Sequence, residues 1–344
     1  MAMRPSGGSC DALFLDSSKH INPKKHIMDR RQFIQSTALT ATSLNLPFSG
    51  FSLGTARERK FKLCLNPGAI GVKLDQQGLL RAAVDYGYEA IVPYPGEMKS
   101  WSKNEIDSLV NQMKAEGISW GSAGLPVQFR EDEQTFQEGL GKLAEAAQTL
   151  QKAGAERMNT WIMPTHPTLS YAANMKQHAT RLGECGKVLA DYGVKLGLEY
   201  VGPKTLMAMQ RYPFIHTLGE CLELIENTGQ ANIGIQLDSF HWYCGEDTVE
   251  DILRLNSENI ITVDLNDARA DLSRDEQIDG TRHLAGATGV IDIRAFLNAL
   301  VEIGYDGPVR SEPFNQELRD MDDPEAMKLD IQSLKKVLKE SGID

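Results

Sequence analysis

The chain has 344 residues, 41% hydrophobic and 24% charged, with a formal net charge of −11. That length suits one large α/β barrel or two modest domains, and no uncharged apolar run reaches the roughly 18 residues of a membrane span. Residues 1–57 carry seven Lys/Arg against three Asp/Glu, a net +4, which leaves −15 on residues 58–344. A body that acidic repels polyphosphate and argues against a nucleic-acid partner.

Within the basic leader, Asp29-Arg30-Arg31-Gln32-Phe33-Ile34 precedes a mildly apolar stretch from Ile34 to Phe51. It resembles a twin-arginine export signal, a class whose apolar region is only moderately hydrophobic. The resemblance implies an exported, periplasmic protein whose body spans residues 58–344; Met28, directly before the motif, is a candidate start. Five cysteines (Cys10, Cys64, Cys185, Cys221 and Cys244) form no C-x-x-C pair and read as isolated buried thiols.

After Arg59 short apolar runs alternate with amphipathic segments. Strands are predicted near Phe61, Ala90, Ile118, Arg157, Lys195, Asn232, Ile260 and Val309, eight in all. Between them, Phe136, Leu140, Leu143, Ala147 and Leu150 step by four and three along one helical face, and Ile293, Phe296, Leu297 and Leu300 do the same. Thr217 and Glu220 have capping-box spacing, and a closing helix runs through Met327, Ile331, Leu334 and Leu338. Glycines at 87, 117 and 193 suit helix ends ahead of the next strand. Eight βα units in about 285 residues predict an α/β fold, a single (β/α)8 TIM barrel. A doubly wound open sheet is the alternative, disfavoured because Asn66-Pro67-Gly68 stands where a dinucleotide fold needs Gly-x-Gly-x-x-Gly.

The last four strands end alike, in Leu198-Glu199, Leu237-Asp238, Val263-Asp264 and Ser311-Glu312. In a barrel these ends are neighbours, so the acids converge at the carboxyl-terminal mouth. Four carboxylates that close cannot all stay ionised without a cation, and an all-oxygen shell favours Mg2+ or Mn2+ over Zn2+. The two-residue strand period puts Gly197, Gln236, Thr262 and Arg310 inward one layer below, with Arg310 able to neutralise part of the cluster from underneath. His166, after the fourth strand, faces the mouth as a candidate substrate contact. Tyr94 and Trp161 can form a wall on which a sugar ring stacks.

Five stretches carry a more specific resemblance: Gly197-Leu-Glu199-Tyr-Val-Gly-Pro203, Leu237-Asp238-Ser-Phe-His241-Trp, Asp264-Leu-Asn-Asp267, Gly286-Ala-Thr-Gly289-Val-Ile-Asp292 and Gly307-Pro-Val-Arg-Ser-Glu312-Pro-Phe314. They resemble the sugar phosphate isomerase/epimerase superfamily, the xylose isomerase-like barrels, over about residues 61–340. The resemblance implies one divalent metal held by Glu199, Asp238, Asp264 and Glu312, with Glu199 and Glu312 also moving protons. It implies substrate contacts from His241 and Arg282. Where the family usually has His, within H-x-x-D, this chain has Asp264 followed by Asp267. Val201 stands where the xylose isomerases proper have Lys, which disfavours a two-metal hydride shift.

The implied activity is that of a metal-dependent ketose or polyol isomerase/epimerase working through an enediolate, with a small carbohydrate as partner. Alternatives are a lyase or dehydratase on a keto-sugar, keto-inositol or 3-keto-glycoside, and a non-catalytic carbohydrate-binding barrel. Homo-oligomerisation is left open by the sequence.

Overall fold

Each predicted apolar run becomes a barrel strand in the computed structural model, which describes residues 57–344. The leader, with Met28 and Arg30-Arg31, lies outside the described residues apart from Arg57. The strands are β1 (Lys62–Leu65), β2 (Ala90–Ile91), β3 (in two pieces, Ser119–Trp120 and Ala123–Gly124) and β4 (Arg157–Ile162). They continue as β5 (Lys195–Tyr200), β6 (Ile233–Asp238), β7 (Ile260–Asp267) and β8 (Pro308–Ser311). Every neighbouring pair is parallel, and β1 pairs with β8. The first piece of β3 pairs with β2 and the second with β4, so the ring closes through the third strand.

The helices of the outer ring, with shorter helical turns between some of them and their strands, are α1 (Gln76–Tyr86), α2 (Lys103–Ala115), α3 (Glu133–Ala153) and α4 (Tyr171–Ala190), then α5 (Leu218–Thr228), α6 (Val249–Leu253), α7 (Ile293–Glu302) and α8 (Asp323–Ser341). Short polar side chains start them. Asp75, Asp132, Ser170, Thr217, Thr248 and Asp292 each accept a backbone N–H of the first turn, satisfying donors the helix itself cannot. Gly87 closes α1 at φ 78°, a conformation that other residues adopt at a penalty. Among the described residues, no helix is long and apolar enough to cross a membrane.

The strand period sorts the side chains. Ile233, Ile235 and Leu237 of β6 are buried on one face, and Gln236 and Asp238 on the other. A register shift in β7 around Ile261 fills the barrel floor. Its side chain occupies the space above Gly197 and Gly234, where added Cβ atoms would come within 3.0 Å of it. The floor is therefore a packed plug, and the polar residues sit above it. The four described cysteines, Cys64, Cys185, Cys221 and Cys244, are all buried and free.

Candidate active site

Strand stagger decides which charges meet. Asp238 of β6 lies level with Asp264 of β7, and Asp264 lies level with Arg310 of β8. Arg310 is thus beside Asp264 rather than beneath it, a difference from the position read off the two-residue period alone. Its Nε donates to Asp264 Oδ1 at 2.7 Å and its Nη2 to Oδ2 at 3.3 Å. Gln236 Nε2 donates to the same Oδ2 at 2.8 Å. Asn159 continues this polar layer: with its amide turned so that the nitrogen faces Ser122 Oγ at 2.8 Å, its oxygen faces Arg310 Nη2 at 3.2 Å.

Asp238 is held from every side. Phe240 N–H and His241 N–H donate to its Oδ1 at 2.6 and 3.2 Å, so it also caps the six-residue helix Ser239–Cys244. Asn266 Nδ2 and Arg282 Nη1 donate to its Oδ2 at 2.7 and 2.9 Å. Asn266 Oδ1 accepts from Glu312 N–H at 2.9 Å, which ties the sixth strand end to the eighth.

Arg282 is the cation at the centre. It is 1% exposed, donates to Asp279 Oδ1 at 2.6 Å, and stands 3.5 Å from Glu312 Oε2. The rings of Phe240 and Phe314 flank its guanidinium at 4.9 and 4.7 Å. Its Nη2 is 3.0 Å from His241 Nε2, while Gly202 N–H approaches His241 Nδ1 at 3.2 Å. With donors facing both ring nitrogens, an imidazolium is disfavoured. Burial, then Arg282, pushes His241 down to about 3, so it is neutral at physiological pH.

Glu199, Asp238, Asp264 and Glu312 each bring one carboxylate oxygen within 4.8 Å of the others; a second such combination is Glu199, Asp238 and His241. Burial, with the charges of Glu312, Asp238 and Asp264, holds the Glu199 carboxyl well above the usual carboxylate range. Burial, with Asp264 and against Arg282, pushes Glu312 up to about 8. Asp238 rises to about 7 by burial, with Arg282 opposing. Five carboxylates (these four and Asp279) face two guanidiniums, which would leave an excess of three negative charges were all of them ionised. Glu199 Oε1 is buried without a hydrogen-bond partner. An unpartnered buried oxygen in an all-carboxylate set is a good donor for a hard divalent cation, and the residues present fit one.

A cavity of ≈ 400 Å³ opens over this cluster, bordered by Trp161, Met163, Glu199, Val201, Leu206, His241, Asp279, Arg282, Glu312 and Phe314. Of the residues singled out from sequence, Trp161, Glu199, His241, Arg282 and Glu312 border it, Asp238 and Asp264 lie behind them, and Tyr94 does not border it. His166 does not border it. Its Nδ1 accepts from Thr168 N–H and Leu169 N–H, which fixes the turn after a two-residue ribbon with Tyr212–Pro213. A larger surface groove of ≈ 590 Å³ between α4 and α5 contains none of these groups. Asp279 and Asn266 were not singled out. Asn266, two residues after Asp264 on the same strand, was accessible to the period argument, whereas Asp279 lies in a loop without local signal.

In (β/α)8 barrels active sites are built at the carboxyl-terminal mouth, where this carboxylate cluster lies. The chain belongs to the xylose isomerase-like TIM barrel family, which it matches over residues 80–337. It is 29% identical over 147 residues to an inosose isomerase of Halalkalibacterium halodurans, covering 43% of this chain and 49% of that relative. It is 27% identical over 146 residues to a ketose 3-epimerase of Arthrobacter globiformis, covering 42% and 43%. A 3-dehydroshikimate dehydratase of Pseudomonas aeruginosa is 32% identical over 107 residues, 30% of this chain and 17% of that protein. The matched stretches thus span about half or less of these relatives. A xylose isomerase domain protein from Alicyclobacillus acidocaldarius superposes with a TM-score of 0.71 at 26% identity, covering 83% of this chain and 99% of that one.

Proposed function

We propose that the protein is a metal-dependent isomerase or epimerase of a keto-sugar or keto-polyol that moves a proton beside the carbonyl. The observation that carries this is the placement of Glu199 and Glu312 on one cavity, both with carboxyls held above the usual carboxylate range by burial and neighbouring acids. A carboxylate poised there is suited to take a carbon-bound proton and return it. A divalent ion, Mn2+ or Mg2+ by the oxygen donor set, would be held by Glu199, Asp238, Asp264 and Glu312 and supply Lewis-acid polarisation of the carbonyl.

The chain's own groups do the rest. One glutamate abstracts the proton from the carbon next to the carbonyl, and the other delivers a proton to the opposite face of the enediolate. Arg282 limits the charge that builds up on Glu312, and Asn266 fixes that strand end against Asp238. The neutral His241 can only exchange hydrogen bonds with a hydroxyl and does not compete as an acid. The dehydratase relative favours a second reading, in which a leaving group on the carbon β to the carbonyl departs with its bonding pair from the same enediolate as the α,β double bond forms. Product mass separates the two, since epimerisation conserves it and elimination does not.

The test is solvent deuterium incorporation into a panel of ketoses and keto-inositols by the purified protein, with bound metal measured by elemental mass spectrometry. About one Mn2+ or Mg2+ per chain, and exchange that falls by roughly 10²–10⁴-fold in Glu199→Gln and Glu312→Gln, is expected. A metal-free protein that binds sugar and exchanges nothing would make the barrel a carbohydrate-binding module instead. The Arg30-Arg31 leader supports export to the periplasm. Fusing residues 1–57 to a reporter and replacing both arginines with lysine checks it, with loss of export expected.

A further inference from the structure

Half of the cavity wall has no part in proton transfer. Trp161, Met163, Val201, Leu206 and Phe314 make up five of its ten bordering residues. Trp161 lies in register with Glu199, so its side chain shares that residue's inward face, yet it is 43% exposed. A large indole left open inside a concave site is unusual unless a ligand covers it.

The indole is also braced from outside the cavity. The Arg130 guanidinium carbon lies 4.0 Å from the Trp161 ring centroid and 4.5 Å from that of Phe129, and Arg130 Nη1 donates to Trp161 O. Arg130 does not border the cavity, so this stack fixes the indole and leaves its other side to the pocket. Opposite the strand-four wall, Phe314 has φ 44°, a backbone conformation that aromatic residues rarely adopt. That strain carries its ring over Arg282 and into the cavity wall. Strain and exposure fall on the two aromatic residues of one pocket, and strained backbone concentrates at ligand clamps.

We propose that this wall is an aryl-stacking subsite, so that the substrate is a keto-sugar ring bearing a flat aromatic substituent; the assignment rests on the keto-sugar reading above. A bare polyol has hydroxyls around its whole rim, and against Met163, Val201 and Leu206 these would lose water without gaining a hydrogen-bond partner. An aryl group loses little there and stacks on Trp161 and Phe314 in the offset or edge-on arrangements that aromatic pairs prefer. The ≈ 400 Å³ cavity falls in the range of sites that take ligands larger than a single small ring.

The test is calorimetric binding of phenyl and methyl 3-keto-β-D-glucosides to the full-length protein, a pair that differs only in the substituent. At least tenfold tighter binding of the phenyl compound is expected. Trp161→Ala, at a partly exposed position, should erase that preference by weakening the phenyl compound more than the methyl one; Arg130→Leu should reduce the preference. Equal affinities, a preference that survives both Trp161→Ala and Phe314→Ala, or no binding of either compound would overturn the subsite. Solvent deuterium uptake by the bound ketone reports the underlying chemistry separately. Aryl preference without uptake removes the enolisation reading alone, and uptake without preference removes the subsite alone.

Discussion

Asp264 shows how one side chain's worth depends on its partner. It is wholly buried, and both its oxygens are occupied, by the Arg310 fork and by Gln236. Breaking a buried pair strands a charge in low dielectric, which costs far more than the intact pair contributes. Arg310→Met should therefore destabilise the protein by about 3–5 kcal/mol, and the double variant with Asp264→Leu should recover part of that loss; urea unfolding measures both. Asp330 of α8 is a second buried carboxylate, with Tyr88 Oη donating to its Oδ2 at 2.8 Å and its Oδ1 unpartnered. Burial, opposed by the nearby hydroxyls of Ser311 and Tyr88, pushes it up to about 6. The folded state then holds this proton more tightly than the unfolded chain does. Its contribution to stability is greatest below the ordinary aspartate value near 3.8 and falls as pH rises to about 6. Asp330→Asn keeps an acceptor for Tyr88 and removes the ionisation. It should match wild type near pH 4 and exceed it at pH 8 by an amount on the order of 2–3 kcal/mol, read from thermal or urea midpoints at the two pH values.

At the scale of elements, short motifs turn out to do more than one job. Asp267 follows Asp264 in a pattern that resembles a metal-site signature, but its carboxylate anchors a loop. Its Oδ2 accepts from Thr288 N–H and Gly289 N–H at 3.0 and 2.8 Å, and its Oδ1 from Ala268 N–H and Ile291 N–H at 2.9 and 3.1 Å. Those bonds pin the segment entering α7 to the end of β7. Asp267→Ala would leave several buried donors unsatisfied and should cost about 2–4 kcal/mol. Amide hydrogen exchange should accelerate first at residues 288–291, ahead of the barrel strands, and uniform acceleration would contradict the anchor role. Thr217 was legible as a helix start because its spacing to Glu220 is a chemical signature, and Thr217 Oγ1 does accept Glu220 N–H. The return bond was not legible, since Glu220 reaches the N–H of His216 at 2.9 Å instead of that of Thr217. The four strand-end acids were legible because strand ends are marked by where apolar alternation stops. The Arg282 hub was legible only through resemblance, because the loop that carries it and Asp279 has no period to read.

For the molecule as a whole, eight strands were readable from eight apolar runs, but how the ring closes was not. A closed barrel needs every strand to bond on both sides, and β3 does so by dividing the task along its length. Ser119 and Gly121 donate backbone N–H groups to β2 residues or the residue just before that strand, while Ala123 and Leu125 serve β4. Composition does not reveal such a division, because it depends on the tilt of neighbouring strands. Gly121 sits at the changeover, and its lack of a side chain is a packing requirement. A Cβ there would stand 2.6 Å from Cys64 Sγ on β1 and 3.3 Å from Ile91 O on β2. Gly121→Ala should therefore cost about 1–3 kcal/mol by overpacking. Because the closer obstacle is one sulfur atom, Cys64→Ala should make room for the new methyl group, and the two substitutions should not add. The double variant is expected to be less destabilised than the sum of the single ones, as measured by urea midpoints across the four proteins. Strict additivity would mean that Gly121 is required by β2's backbone, and that closure of the barrel is set there rather than by packing between the first and third strands.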